Sequence, residues 1–287
     1  MPILVDTLAR ELDGVSLRRA LPQPGLRAIG PIVFVDHLGP ADLAPGQGID
    51  VRPHPHIGLS TVSYLLDGAI VHRDSLGHVQ RLAPGGVNWM RAGRGIAHSE
   101  RSPPDLRAAG HRLHLLQCWV AAARAGEDAP PAFTHWPADA VPRVLAPGID
   151  LRLVAGRGFN RELDMPIDPP CAIAVLRLAR LMRFEFLAEY AERAVYVMSG
   201  RVQIGSVEIA THGLARLDAE AGHTVHVDAL EPSVLALLAG DPIGERTLWW
   251  NFVASDPARI EAAKARWLAG DFPPVPDDDE RMPLPAG

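Results

Sequence analysis

The chain has 287 residues, room for one large domain or two modest ones at roughly 100–200 residues each, and a core of that size needs no disulfide staples. Hydrophobic residues make up 47% and charged residues 22%, an ordinary soluble composition. The net charge of -6, from 28 basic and 34 acidic residues with no Lys/Arg run, argues against nucleic acid as a direct partner. The two cysteines, Cys118 and Cys171, form no CxxC pair, which excludes a disulfide framework or a thiolate zinc site. They read as small core residues in a reducing compartment. The opening stretch MPILVDTLARELDG mixes acids and bases early and lacks a signal-peptide pattern. No run approaches the ~18 apolar residues of a membrane span. A cytoplasmic monomer is expected.

Short apolar runs alternate with glycine and proline along the chain. They fall at 31–35 (PIVFV), 60–66 (STVSYLL), 114–120 (HLLQCWV), 173–178 (IAVLRL), 194–198 (AVYVM) and 234–238 (VLALL). Short strands punctuated by turn residues predict an all-β sandwich or barrel. One helix is expected near the C-terminus. Asp256 is suited to the N-cap, Pro257 to the first helical position, and Gly270 to the C-terminal glycine. Between them Ile260, Ala263, Lys264, Trp267 and Leu268 recur at helical spacing and predict a buried face.

A weak repeat relates VSYLLDG, around Tyr64, to AVYVMSG, around Tyr196, at an offset of 132 residues. It predicts two copies of one β-domain, with a boundary near the loop at 125–131 or the turn at Pro147 and Gly148. The expected division is 1–130 and 131–287, the helix belonging to the second part. The acidic tail 276–280 (PDDDE) lacks the alternating ligands and glycine of a calcium loop and is expected to be solvated.

The chemistry concentrates in two phrases. In RPHPHIG, His54 and His56 are two apart, and in an extended chain such residues project to one face. Pro53 and Pro55 stiffen the segment, which lowers the entropy lost on ordering the ligands. In GRGIAHSE, His98 and Glu100 repeat the spacing 42 residues later. Three imidazoles and a carboxylate without thiolate disfavour structural zinc. They come nearest to the histidine and carboxylate sites of non-haem iron oxygenases.

The stretch from His54 to Arg101, with its phrases HPHIG, HRDSLG and AGRGIAHSE, resembles the pirin family; QCW at 117–119 and GERTLWWNF at 244–252 extend the likeness toward bacterial members. The resemblance implies a bicupin: two jelly-roll β-barrel domains with metal in the N-terminal one. It also implies metal-ligand roles for His54, His56, His98 and Glu100, holding one divalent transition metal. Fe(II) is expected, with Mn, Ni, Cu, Co or Zn as alternatives. A glutamate that cupins usually carry shortly after HxH is replaced here by Ser60.

Carrying the repeat offset forward places Phe186 and Ala188 where His54 and His56 stand, so the second domain should hold no metal. His223 and His226 are read as ordinary polar positions, and His111 and His114 as a poor ligand pair. The HRDS phrase, His72 to Ser75, is expected to form a hairpin-turn network. By resemblance the activity is that of a quercetin 2,3-dioxygenase acting on a flavonol-like substrate, with Glu100 as both ligand and proton acceptor and a concave, largely apolar pocket over the metal. The alternative is a non-enzymatic, iron-dependent, redox-responsive partner of a transcription factor or metabolic enzyme.

Overall fold

The computed structural model describes residues 2–217 and 223–285. It is β-rich, as the strand and turn punctuation predicts, and divides into two compact units that interleave along the chain. One consists of residues 1–10, 18–37 and 141–243; the other consists of 11–17, 38–140 and 244–287. The C-terminal helix therefore falls in the unit that carries His54, His56, His98 and Glu100, not with residues 141–243. No helix is long and apolar enough to cross a membrane.

Within each unit a four-stranded sheet accompanies a larger one. In the histidine-bearing unit the small sheet runs in the order Asp50–His56, Ile96–Arg101, Ile70–Asp74, Val79–Leu82. In the other it runs Arg183–Phe186, Val225–Ala229, Arg201–Ile204, Val207–Ala210. The larger sheets match as well: Val87–Arg91, Leu59–Asp67 and His111–Ala121 are consecutive neighbours in one, and Leu214–Leu217, Glu192–Ser199 and Ser233–Gly240 in the other. Tyr64 and Tyr196 lie in equivalent central strands, both buried and each followed by a glycine turn. The repeat seen in the sequence is thus a repeat of topology. Outside these strands the two copies differ. Ala132–Trp136 borders Val87–Arg91, whereas the position beside Leu214–Leu217 is filled by Ile3–Val5 from the N-terminal end.

The helix Pro257–Ala269 has the expected caps. The Asp256 side chain accepts from the Ala258 N–H, and Gly270 adopts a left-handed conformation. Ile260, Ala263 and Trp267 are buried against Ile57, Ala97, Phe252, Phe272 and Val275. Leu268, expected on that face, is exposed instead. The buried stripe is therefore narrower than the apolar pattern and ends at Trp267. A short helix at Pro104–Ala109 adds to the predicted elements.

Gly58, which ends the HPHIG phrase, has φ of 66°. A Cβ there would run into the Val253 carbonyl oxygen. Its own N–H donates to Gly93 O at 2.9 Å, and its carbonyl accepts from Ala122 N at 2.9 Å. Only glycine meets both demands, and the turn directly follows the two histidines.

Candidate metal centre

The two ligand phrases are adjacent antiparallel strands. Asp50–His56 pairs with Ile96–Arg101, placing His98 opposite His54 and Ile96 opposite His56. Pro53 and Pro55 are tolerated because Asp50–His56 is an edge of its sheet, where a missing N–H forfeits no ladder bond. Between His98 and Glu100 the register shifts, so that Glu100 lies opposite Val51. The extra residue falls at Arg52 and Pro53. Such a bulge re-aims side chains, a feature common beside functional sites.

His54, His56 and His98 come together. Their ring centroids are 4.4–5.0 Å apart, and one ring nitrogen of each lies within 4.8 Å of the others. All three are buried. The hydrogen bonds fix which nitrogens face inward. His54 Nδ1 lies 2.8 Å from Arg52 O and His56 Nδ1 3.0 Å from Asn251 O. A carbonyl only accepts, so both Nδ1 atoms carry the proton and both Nε2 atoms present lone pairs. His56 Nε2 and His98 Nε2 face each other at 3.1 Å.

Burial dominates the electrostatics. Loss of solvent pulls His54 down to about 4, against the opposing pull of the Arg52 carbonyl. His56 and His98 are also driven well below 6.5, first by burial and then by neighbouring imidazoles. Three neutral imidazoles in a dry site form a donor set that a divalent cation satisfies. The residues present therefore fit the metal expected of them.

Glu100 is placed differently from the three rings. Its carboxylate groups with His98 and His72, again within 4.8 Å, so the four expected ligands fall into two groups that share His98. Ser63 Oγ lies 3.1 Å from Glu100 Oε1 and 2.7 Å from Gln117 Oε1. Burial raises the Glu100 carboxyl above its ordinary range, against the lowering effects of His72 and Ser63.

Several contributors carry no obvious signal in the sequence. The acceptor for His56 is a backbone carbonyl 195 residues away. Trp119 sets its edge against His56 with centroids 5.1 Å apart, and Phe133 stacks on His72 at 4.3 Å. Asp74 does serve its hairpin turn, as expected, with Oδ1 accepting from Leu76 N and His78 N. It also reaches His72. The acidic tail is not wholly solvated: Asp278 is 8% exposed. Its two oxygens accept from Arg101 Nε at 3.0 Å and Nη2 at 2.7 Å. Arg101 follows Glu100, so the tail grips the ligand strand.

His111 and His114 stay outside the site. His111 bonds to the Leu106 carbonyl, and His114 approaches Asp67. In the other unit, Phe186 is buried and stacked with Phe159, while Ala188 is not a donor. His226 pairs with Glu185 at its surface. A cavity of about 680 Å³ in that unit is lined by residues including Arg157, Glu189 and Tyr190, with no histidine among them.

Comparison with known proteins identifies the family and the fold. The pirin family model matches residues 14–120, and the model of the pirin C-terminal cupin domain matches 173–273. A pirin-like protein of Caulobacter vibrioides is 42% identical over 287 residues, covering 99% of both chains. Human pirin is 28% identical over 254 residues, covering 85% of this chain and 83% of its own. The crystal structure of quercetin 2,3-dioxygenase from Acinetobacter baumannii superposes with a TM-score of 0.91 at 27% identity, covering 99% of this chain and 95% of that one. With both domain models matched in order and a relative alike over nearly its whole length, this chain belongs to the pirin family.

Proposed function

We propose that this pirin is an iron-dependent dioxygenase of the quercetin 2,3-dioxygenase type, acting on a flavonol or a similar flat, enolisable aromatic compound. The carrying observation is the set of three buried imidazoles, two of them locked with Nε2 unprotonated, beside a buried carboxylate of raised pKa. The likeness to the Acinetobacter baumannii quercetin 2,3-dioxygenase supports it. His54, His56 and His98 would hold the metal, with Glu100 as the carboxylate ligand. Iron, when bound, supplies the Lewis acidity and one-electron chemistry that let a deprotonated flavonol combine with dioxygen.

The remaining work belongs to the chain itself. Glu100 takes the proton of the flavonol hydroxyl, and its raised proton affinity suits it to that task. Ser63 lies against that carboxylate and is itself held by Gln117 on the adjoining strand. The Trp119 indole offers an apolar edge beside His56. Arg52 and Asn251 carbonyls lock two rings in the tautomer that leaves Nε2 free. The net reaction opens the flavonol C ring, incorporates both oxygen atoms of dioxygen and releases one carbon as carbon monoxide. The protein is further proposed to be a cytoplasmic monomer with one metal per chain.

The test is anaerobic reconstitution with ferrous iron, followed by measurement of oxygen uptake and carbon monoxide release across a flavonol panel. Stoichiometric uptake and release with at least one flavonol is the expected result. Iron-loaded protein that consumes no oxygen with any of them would end the dioxygenase reading.

A further inference from the structure

We propose that Asp74 and His72 form a tautomer relay that aims the lone pair of His98 at the metal, making both of them positioning residues of the centre. The inference rests on the metal-centre reading above and goes beyond it. No ligand role for His72 is required.

The relay is read outward from the carboxylate. Asp74 is fully buried. Burial alone would raise its pKa, but the hydrogen bond to His72 and the other bonds to its oxygens outweigh that and hold it below the usual range. Its oxygens face backbone N–H groups and ring nitrogens that can donate, so the carboxylate accepts at both. Its Oδ1 is occupied by the backbone N–H groups of Leu76, at 2.9 Å, and His78, at 3.1 Å. Its Oδ2 faces two ring nitrogens, His72 Nε2 at 3.2 Å and His78 Nδ1 at 3.0 Å. The proton between Oδ2 and the His72 ring sits on His72 Nε2, and His72 in that tautomer presents a lone pair at Nδ1. That lone pair faces His98 Nδ1 at 3.3 Å. His98 donates there, so its own lone pair is at Nε2, the atom turned toward His56. Starting from an accepting carboxylate, the contacts run in one direction of donation, from His98 to His72 to Asp74.

The rings are held to this geometry. His72 stacks on Phe133 with planes 12° apart, which opposes rotation about its χ2. The strand ladder places Asp74 opposite His98 and His72 opposite Glu100. Metal-binding histidines generally lean on such a partner, and losing it typically costs 10–100-fold in metal affinity. Here the partner of His98 is an imidazole, and the carboxylate stands one ring further out.

The decisive variant is Asp74→Asn. The two backbone N–H groups require an oxygen at the Oδ1 position, so the new NH2 must face His72. That NH2 donates into His72 Nε2, which moves the ring proton to Nδ1 and drives the His98 proton to Nε2. The shape is unchanged, but the His98 lone pair now points away from the metal. The same carboxylate-to-amide exchange in a catalytic triad leaves the geometry intact and traps the wrong tautomer.

The experiment titrates the metal-free full-length protein with cobalt(II) against a competing chelator, recording the visible d–d bands. Wild type, Asp74→Asn and His78→Ala are compared, with circular dichroism as a check on folding. The relay predicts that Asp74→Asn binds cobalt about 10–100-fold more weakly, with altered bands. His78→Ala, which removes another side-chain contact of Asp74 but no link of the relay, should lose less affinity than Asp74→Asn and keep the wild-type bands. Wild-type affinity and bands in Asp74→Asn would overturn the relay. A wild-type protein that takes up no cobalt would instead overturn the metal-centre reading. If Asp74→Asn fails to fold, ¹⁵N spectra of the zinc-loaded wild type decide. A neutral His72 protonated at Nε2 supports the relay, and a proton on its Nδ1 refutes it.

Discussion

Asp278 and Arg101, 177 residues apart in sequence, meet in a two-point ion pair directly behind the ligand strand. Paired forks of this kind are among the stronger charged contacts. Arg101 also reaches Asp50 and Glu280. Asp278→Ala should therefore lower stability by about 1.5–3 kcal/mol, the usual worth of hydrogen bonds to charged groups. Although burial pushes the Asp278 carboxyl up, its bonds to Arg101 bring it below the usual range. Its contribution is complete above the unfolded value of about 3.9 and disappears as pH falls through the lower folded value. Thermal unfolding of both proteins should show a gap that is full at pH 7 and closes under strongly acid conditions.

The buried imidazoles act in the same direction, lowering stability toward acid, but at milder pH. In the unfolded chain they protonate near 6.5, while in the folded metal-free protein His54 resists protonation down to about 4 and His56 and His98 are likewise lowered. Below 6.5 the unfolded state binds more protons, so stability falls with pH toward the folded values. The midpoint of thermal unfolding of metal-free protein should drop between pH 7 and 5. His56→Ala should show a shallower drop, keep its β-type circular dichroism and lose most of its metal affinity. Global unfolding of this variant at pH 7 would mean that the histidine cluster is structural.

Glu100→Gln separates ligand from base. It keeps an oxygen that can ligate and removes the proton acceptor. Flavonol turnover per bound iron should fall by roughly 10²-fold or more, within the usual effect of losing a general base. An unchanged rate per iron would assign Glu100 to ligation alone.

One metal per chain is expected, because Phe186 is buried where the repeat would place a histidine and Ala188 offers no donor. Elemental analysis after loading and desalting should give a ratio near one. A reproducible value near two would show a second site.

Gly58→Ala tests the turn that follows the ligand pair. Both the left-handed φ and the Val253 carbonyl oppose a Cβ there. Strain and overlap together should cost roughly 3 kcal/mol or more, read by denaturant unfolding.

The sequence reveals much of this site through residue type. His54, His56 and His98 announce themselves by spacing, and the caps of the last helix by Asp256 and Gly270. Tyr64 and Tyr196 mark equivalent strands because a buried strand ending in a glycine turn leaves a recognisable pattern. Backbone acceptors do not. Any residue offers a carbonyl, so nothing in the letter at position 251 marks it as the partner of His56. Asp278 looked solvated because its neighbours are acidic, and only the fold brings Arg101 to it. The pairing of Ile3–Val5 with Leu214–Leu217 is equally silent, since periodicity reports a strand's faces and not its distant neighbour. Glu100 shows a further limit. It shares a face with His98, as its spacing promised, but the strand ladder also sets it opposite His72, and its carboxylate groups with that ring rather than with His54 and His56.

The unit that carries the histidines is closed by residues 244–287, and this fixes an order of events at the ribosome. All four residues expected to ligate are synthesised within the first hundred positions. The carbonyl that locks His56 and the carboxylate that grips the ligand strand are made last. A nascent chain thus holds its imidazoles for most of translation without the carbonyl that orients His56. Metal capture in its final geometry is an event of the finished polypeptide, and a chain cut short at residue 243 would carry every ligand and no completed site.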